Sequence, residues 1–422
     1  MPGAEHSHGQ WAVRSALLVV AAGLVAGCAI SGRSVADPIP AADRLRAGGG
    51  IQAEVDRLVR PLVDRGQVQG MVVGVLTPDG LTRTYGYGHT DSPSGSRPPA
   101  GDTLFQVGSV SKAFVAALFQ ILVNEGRLHY DDTVRDILPA NVRLSADAEA
   151  LTLYELVTHT AGLPRQPNNL IQARYFLSYL FTGQNLYGYL TREYLYEYLR
   201  TCRLEPRADR GYAYSNVGFG LLAHLIEVKT GRSLSDLVAE KISRPLRMRD
   251  TGFVLDEEQR RRLAVGHVGD QPLFMRRNTP MPPWDLGKIM RGVGGLYTTV
   301  DDLLIFAQAQ LGMSGHELGV VVASTQRVQL RTPVEDVAFG WVINKFDEGR
   351  LSITYIHGLV AGYAAYIGMD VDRGIAVVVL ANNCNLDDPV GHNLLLRLAA
   401  ASAPVGPPFV SSPPIARRDE RN

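Results

Sequence analysis

Residues 363–383, "YAAYIGMDVDRGIAVVVLANN", place two β-branched and aromatic runs on either side of Asp372-Arg373-Gly374, a turn sequence, and so read as a β-hairpin. The runs are apolar almost without alternation. "MVVGVLTPDGLTRTYGYG" (71–88) has the same form around Pro78-Asp79-Gly80, so a hairpin stands near each end of the chain. Before the first, Ile51, Val55, Leu58, Val59, Leu62 and Val63 recur at helical spacing over 51–65. After the second, a leucine- and alanine-rich helix covers about 391–401. The segment between the hairpins is dominated by helical periodicity. The expected fold is therefore α+β: one antiparallel sheet built from both chain ends and flanked by helices, with an all-helical region at about 110–290.

The 422 residues are 45% hydrophobic and 20% charged, with no net formal charge, which is enough for a large core and leaves no basic footprint for nucleic acid. Arg14 precedes the apolar run "SALLVVAAGLVAGC" (15–28), which is short for a membrane span and ends in small residues, as an export signal does. "VAGC" (25–28) resembles the lipobox of bacterial lipoproteins, whose cysteine, here Cys28, takes the lipid; a plain signal peptide or an uncleaved anchor fits the same run. The chain accordingly divides into a lipoprotein signal peptide (1–28), a polar tether (29–50), a folded domain (51–402) and a Pro-rich tail (403–422) that reads as disordered. His6 and His8 fall in the leader. Cys202 and Cys384 are too few for a disulfide scaffold or a zinc site, and their spacing does not say whether they pair.

Chemistry enters at "FQVGSVSKAF" (105–114). The chain has five lysines against 37 arginines, and one of the five, Lys112, sits on the opening turn of a helix that is apolar on nearly every side. Ser109 lies three residues earlier, on the same helical face. A desolvated lysine loses basicity and can take a proton from a neighbouring hydroxyl, while the helix N-terminus favours developing negative charge. An N-capping serine with a snorkelling lysine would produce the same short motif. "GYAYSNVGFGLLAHLIE" (211–227) adds Tyr214 and Asn216 just before another helix, and "YIHGLVAGYAAYIGM" (355–369) adds His357 before glycines and a strand. His159 and the pair Asp301-Asp302 read as loop braces. The aromatic stretch 175–198 reads mainly as helical core.

The order S-x-x-K, Y-x-N, His-Gly resembles the β-lactamase and penicillin-binding-protein serine hydrolases, in particular the branch holding class C β-lactamases, D-alanyl-D-alanine carboxypeptidases, D-aminopeptidases and related esterases. Similar stretches recur at 156–164, 244–253, 292–307, 339–341 and 377–383, and because the region of the aromatic stretch 175–198 caps the cleft in relatives, the resemblance implies that a few of its rings also line an apolar acyl or aryl pocket. The resemblance implies that Ser109 is the acyl-accepting nucleophile, Lys112 its activator, Tyr214 the proton relay and Asn216 a substrate-positioning amide. His357 would stand where relatives carry the lysine of a K-T-G triplet, and the backbone N–H groups of Ser109 and Val360 would form the oxyanion hole. One departure is visible. The third triplet position is normally glycine, and here it is Leu359, so either the strand is shifted and Gly358 or Gly362 supplies the close approach, or the cleft is reshaped. A mostly neutral histidine in place of a fixed cation points away from carboxylate-bearing substrates. The expected function is an exported serine hydrolase acting on an ester or amide of a small molecule or peptide, without cofactor or metal. A true β-lactamase or D-Ala-D-Ala carboxypeptidase is the alternative, and an inactive binding protein on the same fold is a further one.

Overall fold

The computed structural model describes residues 50–90, 97–346, 349–385, 389–402 and 404. Cys28, the leader, the tether before Gly50 and the tail beyond Pro404 lie outside the described residues. Helix α1 (Gly50–Asp64) buries Val55 and Val59 on its sheet-facing side. It leads into strands β1 (Gly70–Leu76) and β2 (Thr82–Gly88), closed by a turn in which Gly80 takes a positive φ of 80°.

Six further strands follow late in the chain: β3 (Leu330–Arg331), β4 (Asp336–Ala338), β5 (Trp341–Phe346), β6 (Leu351–Val360), β7 (Tyr363–Asp370) and β8 (Ile375–Ala381). The sheet order is β2-β1-β8-β7-β6-β5-β4-β3, every pair antiparallel. The two chain ends meet at its second and third strands, where Met71 pairs with Ala381 and Leu76 with Ala376. Each end thus supplies the hydrogen-bonding partner that the other lacks. That is why neither hairpin is left as an isolated ribbon.

Strands β1, β7 and β8 are buried throughout because both faces are covered. Val377 and Val379 pack outward with α1 and the closing helix α9 (Val390–Ala400). Val378 and Leu380 pack inward with the larger core. The inner layer is led by α2 (Ser111–Asn124), in which twelve successive residues from Ser111 to Leu122 are buried. Phe114 of α2 stacks on Phe306 of α7 (Val300–Gln310), with ring centroids 4.3 Å apart. Burying a helix on every side stabilises it by apolar transfer, about 1.5–3 kcal/mol for each large side chain. It also means that any polar group on that helix needs a specific partner.

The helical middle carries α3 (Leu170–Thr182), α4 (Arg192–Thr201), α5 (Asn216–Thr230), α6 (Gly287–Gly294), α7 and α8 (Glu317–Ser324). Cys202 and Cys384 are both buried free thiols.

Candidate active site

Ser109 does not stand on α2 itself. It belongs to a one-turn 3-10 helix, Gly108–Val110, that feeds into α2. A two-residue ladder, Phe105–Gln106 with Tyr297–Thr298, holds the approach. The Ser111 hydroxyl locks the turn by donating to Gly108 O (2.7 Å) and accepting from Leu296 N–H (3.1 Å). Gly108 has φ +52°, a conformation that side chains rarely adopt, and a Cβ there would also strike Leu359 N at 2.8 Å and Leu359 O at 2.9 Å.

Lys112 Nζ donates to Ser109 Oγ at 2.9 Å and to Val293 O at 3.1 Å. It lies 4.9 Å from the centre of the Tyr214 ring. Its side chain is 1% exposed, so burial holds the amine well below its ordinary basicity, and the Arg165 cation adds to the effect. On the other side of Ser109, Tyr214 OH donates to Oγ at 2.8 Å. Burial pushes the Tyr214 phenol up, partly offset by Arg165, whose guanidinium carbon is 5.3 Å from the ring centre, and by the bond to Ser109. The serine oxygen is therefore held between an amine driven toward neutrality and a phenol that stays protonated.

Tyr214 is aimed by the start of α5. Ser215 caps that helix, its hydroxyl accepting from Gly218 N–H (2.8 Å) and donating to Pro164 O (2.7 Å). His159 Nδ1 accepts the Ser215 N–H at 3.0 Å, and its ring packs 4.7 Å from Tyr214 and 4.8 Å from Phe219. Burial pushes that imidazole down to about 3, so it stays neutral and fixed as an acceptor. Asn216, the first residue of α5, donates to Tyr187 OH at 2.9 Å, while its Oδ1 is buried without a partner. A buried carbonyl of this kind is an acceptor waiting for a donor.

Strand β6 forms the facing wall. Its edge pairs with β5 only as far as Tyr355, opposite Val342; farther along, the Gly108–Val110 turn lies against it. Ile356 and Val360 belong to the inner core, whereas Tyr355 and Leu359 pack on the outer one. Gly358 is the inward residue at the crossing: a Cβ there would lie 2.1 Å from Val107 O and 2.6 Å from Ser109 N. The triplet is thus offset by one residue from the expected alignment. Gly358 supplies the close approach, Leu359 turns to the opposite face, and Ile356 takes the inward place expected for His357.

Val360 pairs with Tyr363 across the two-residue turn Ala361-Gly362, and the closing pair of such a hairpin exchanges its own N–H and C=O bonds. Its N–H is therefore committed to the ladder. The alternation directs the Leu359 N–H to the other edge, beside Gly108. His357 is exposed at the cleft rim and makes no side-chain hydrogen bond among the described residues. Protein crowding and the nearby Arg165 hold its imidazole below the ordinary value.

Ser109, Lys112, Tyr214, Asn216, His357, Leu359 and Val360 all line one cleft of about 410 Å³. Tyr187, from the aromatic stretch 175–198, lines it too, as do Arg165, Tyr212, Glu335 and Tyr355, which were not singled out as site residues in the sequence. Arg165 directly follows the family-like stretch 156–164, and Tyr212 and Tyr355 stand at the openings of the stretches 211–227 and 355–369, whereas nothing marks Glu335.

The chain matches the Beta-lactamase family over residues 55–401. It is 27% identical over 348 residues to the D-alanyl-D-alanine-carboxypeptidase/endopeptidase AmpH of Escherichia coli K12, covering 79% of this chain and 84% of that protein. It is 28% identical over 311 residues to esterase EstB of Burkholderia gladioli, covering 68% and 79% of the two chains. In structure it resembles a class C β-lactamase from Rhodobacter sphaeroides, with a TM-score of 0.69 and 24% identity over 82% of this chain and 99% of that one. With this match over most of its length, on a sheet of the same antiparallel kind, the chain belongs to the β-lactamase family of serine hydrolases.

Proposed function

We propose that the protein is an exported hydrolase that cleaves an ester or amide bond through an acyl intermediate on Ser109. The observation that carries this reading is the placement of Ser109 Oγ 2.9 Å from Lys112 Nζ and 2.8 Å from Tyr214 OH. Lys112, its amine held well below ordinary basicity by burial, takes the serine proton as Oγ attacks the carbonyl carbon. The N–H groups of Ser109 and Leu359 receive the oxyanion, Leu359 replacing Val360 in that role because its N–H faces the turn. Tyr214, a phenol at neutral pH, passes a proton to the leaving group; water then attacks the acyl-serine by the reverse route. Asn216 Oδ1, buried and unpaired, accepts a donor from the substrate.

Neither Ile356 nor a neutral His357 offers the cation that a K-T-G lysine would present to a carboxylate. Neutral esters are therefore turned over with higher kcat/KM than cephalosporins. A second reading, hydrolysis of a β-lactam or of a peptide with a free C-terminus, is favoured by Arg165, a cation lining the same cleft. Assaying p-nitrophenyl acetate against nitrocefin, in the native protein and in Arg165→Gln, separates the two. Preference for nitrocefin that collapses in Arg165→Gln establishes the second reading and overturns the first. For localisation, "VAGC" supports lipidation at Cys28 and attachment to a cell-envelope membrane. Cys28→Ala protein that stays membrane-bound with an uncleaved leader contradicts it.

A further inference from the structure

Glu335 sits in the turn between β3 and β4, at the edge of the sheet. Thr332 fixes the turn: its Oγ1 accepts the N–H of Glu335 (3.1 Å) and donates to Glu335 O (2.7 Å), and its own N–H also reaches Glu335 O (3.0 Å). The Glu335 side chain lines the cleft that holds Ser109. It is half-buried, and among the described residues its carboxylate has neither a hydrogen bond nor an ion pair. Its neighbour Asp336 is matched by Lys345. Arg165, which shares the cleft, lies against the Tyr214 ring and forms no ion pair with Glu335. Tyr212 and Tyr355 are near enough to feel the Glu335 charge, and both line the cleft.

A partly desolvated carboxylate without a counter-ion is unfavourable by itself; beside aromatic rings it is a good receptor for a cation. Burial pushes the Glu335 carboxyl up, a cost that an incoming positive charge offsets. We propose that Glu335 is the specificity-determining residue of the cleft and selects substrates bearing a cationic head group, an amine or quaternary ammonium, on the acyl or the leaving-group side of the scissile bond. The proposal rests on the acyl-serine reading and narrows it to a substrate class.

Two matched pairs test it. One is p-nitrophenyl trimethylammoniobutanoate against its carbon isostere, in which tert-butyl replaces trimethylammonium. The other is acetylthiocholine against its tert-butyl isostere. The expected result is a kcat/KM about tenfold higher for the cationic member of at least one pair at low salt, shrinking as salt rises. Glu335→Gln brings that ratio to about one, and Glu335→Asp keeps its direction. A ratio of one or less in both pairs, a ratio indifferent to salt, or one unchanged in Glu335→Gln overturns the proposal. Fluorophosphonate labelling of each protein reports a folded, competent site, so lost labelling in a variant is not mistaken for lost selectivity; the salt response of the native protein then decides alone. Absence of labelling in the native protein withdraws the acyl-serine reading and this proposal with it.

Discussion

Lys112 is the residue at which stability and chemistry oppose each other. In the unfolded chain its amine is protonated below about pH 10.4. In the folded chain burial keeps the proton off until well below that. The unfolded state therefore binds the extra proton throughout that window, and the contribution of Lys112 to stability falls as pH drops through it. Replacing it with an apolar side chain of similar length removes this liability. Lys112→Met is predicted to lower turnover by several orders of magnitude while its melting temperature at pH 7 stays level or rises, read by a thermal melt alongside kinetics. The same depression sets the acid limb of activity: kcat/KM rises with pH as the folded-state amine loses its proton, and the limb disappears in Lys112→Met.

At the scale of elements, the register of β6 against the nucleophile turn decides whether the site can form. Gly358→Ala puts a methyl group within van der Waals overlap of Val107 O and Ser109 N, both backbone atoms that cannot swing aside. It is predicted to cost about 1–3 kcal/mol of stability and at least a hundredfold in kcat/KM. Leu359→Gly removes a side chain from the opposite face, so it lowers stability by a similar amount and leaves kcat/KM within about tenfold. Interchanged outcomes for the two variants, from urea melts and ester kinetics, contradict the register.

This is also where sequence reading reached its limit. The two hairpins at the chain ends announced themselves through strand-like runs on either side of a turn sequence, and α1 and α9 through their periodicity. Ser109, Lys112, Tyr214 and Asn216 were visible as candidates because each stands at a recognisable element start. The strands β3, β4 and β5 were not, because they are two, three and six residues long and their pairing is purely tertiary. In "HGLVAG" Gly358 and Gly362 stand four residues apart and share a face of an extended strand, so the pattern alone cannot say which of the two makes the close approach; Gly358 was one of two open choices. Glu335 reaches the cleft only through the β3–β4 turn, and nothing around it in the sequence marks it.

For the whole molecule, the buried histidines make folding sensitive to acid. Burial pushes His159 down to about 3 and His224 and His392 down to about 4, whereas unfolded histidine titrates near 6.5. As pH falls below 6.5 the unfolded chain takes up protons that the folded one refuses, so stability declines, by about 1.4 kcal/mol per pH unit for each net proton. Asp302, pushed up to about 6 by burial, acts in the opposite sense, since its folded form gains a proton first. His267 and His357, also held down by burial, add to the loss, while Asp301, Glu335 and Asp370, also pushed up, oppose it; the large depressions of the three buried histidines decide the sign, and stability is predicted to fall between pH 6.5 and 4. His224→Gln, which keeps a partner for the Tyr196 hydroxyl, makes the decline shallower. Urea midpoints measured across that range check both statements.

The proposed acyl transfer turns on one arrangement, a serine held at the junction of the helical body and the sheet. The most direct measurement is intact-protein and peptide mass spectrometry after treatment with a fluorophosphonate probe. A single adduct on Ser109, absent from Ser109→Ala, is the predicted result. Folded protein that takes no adduct, or one that persists in Ser109→Ala, contradicts it.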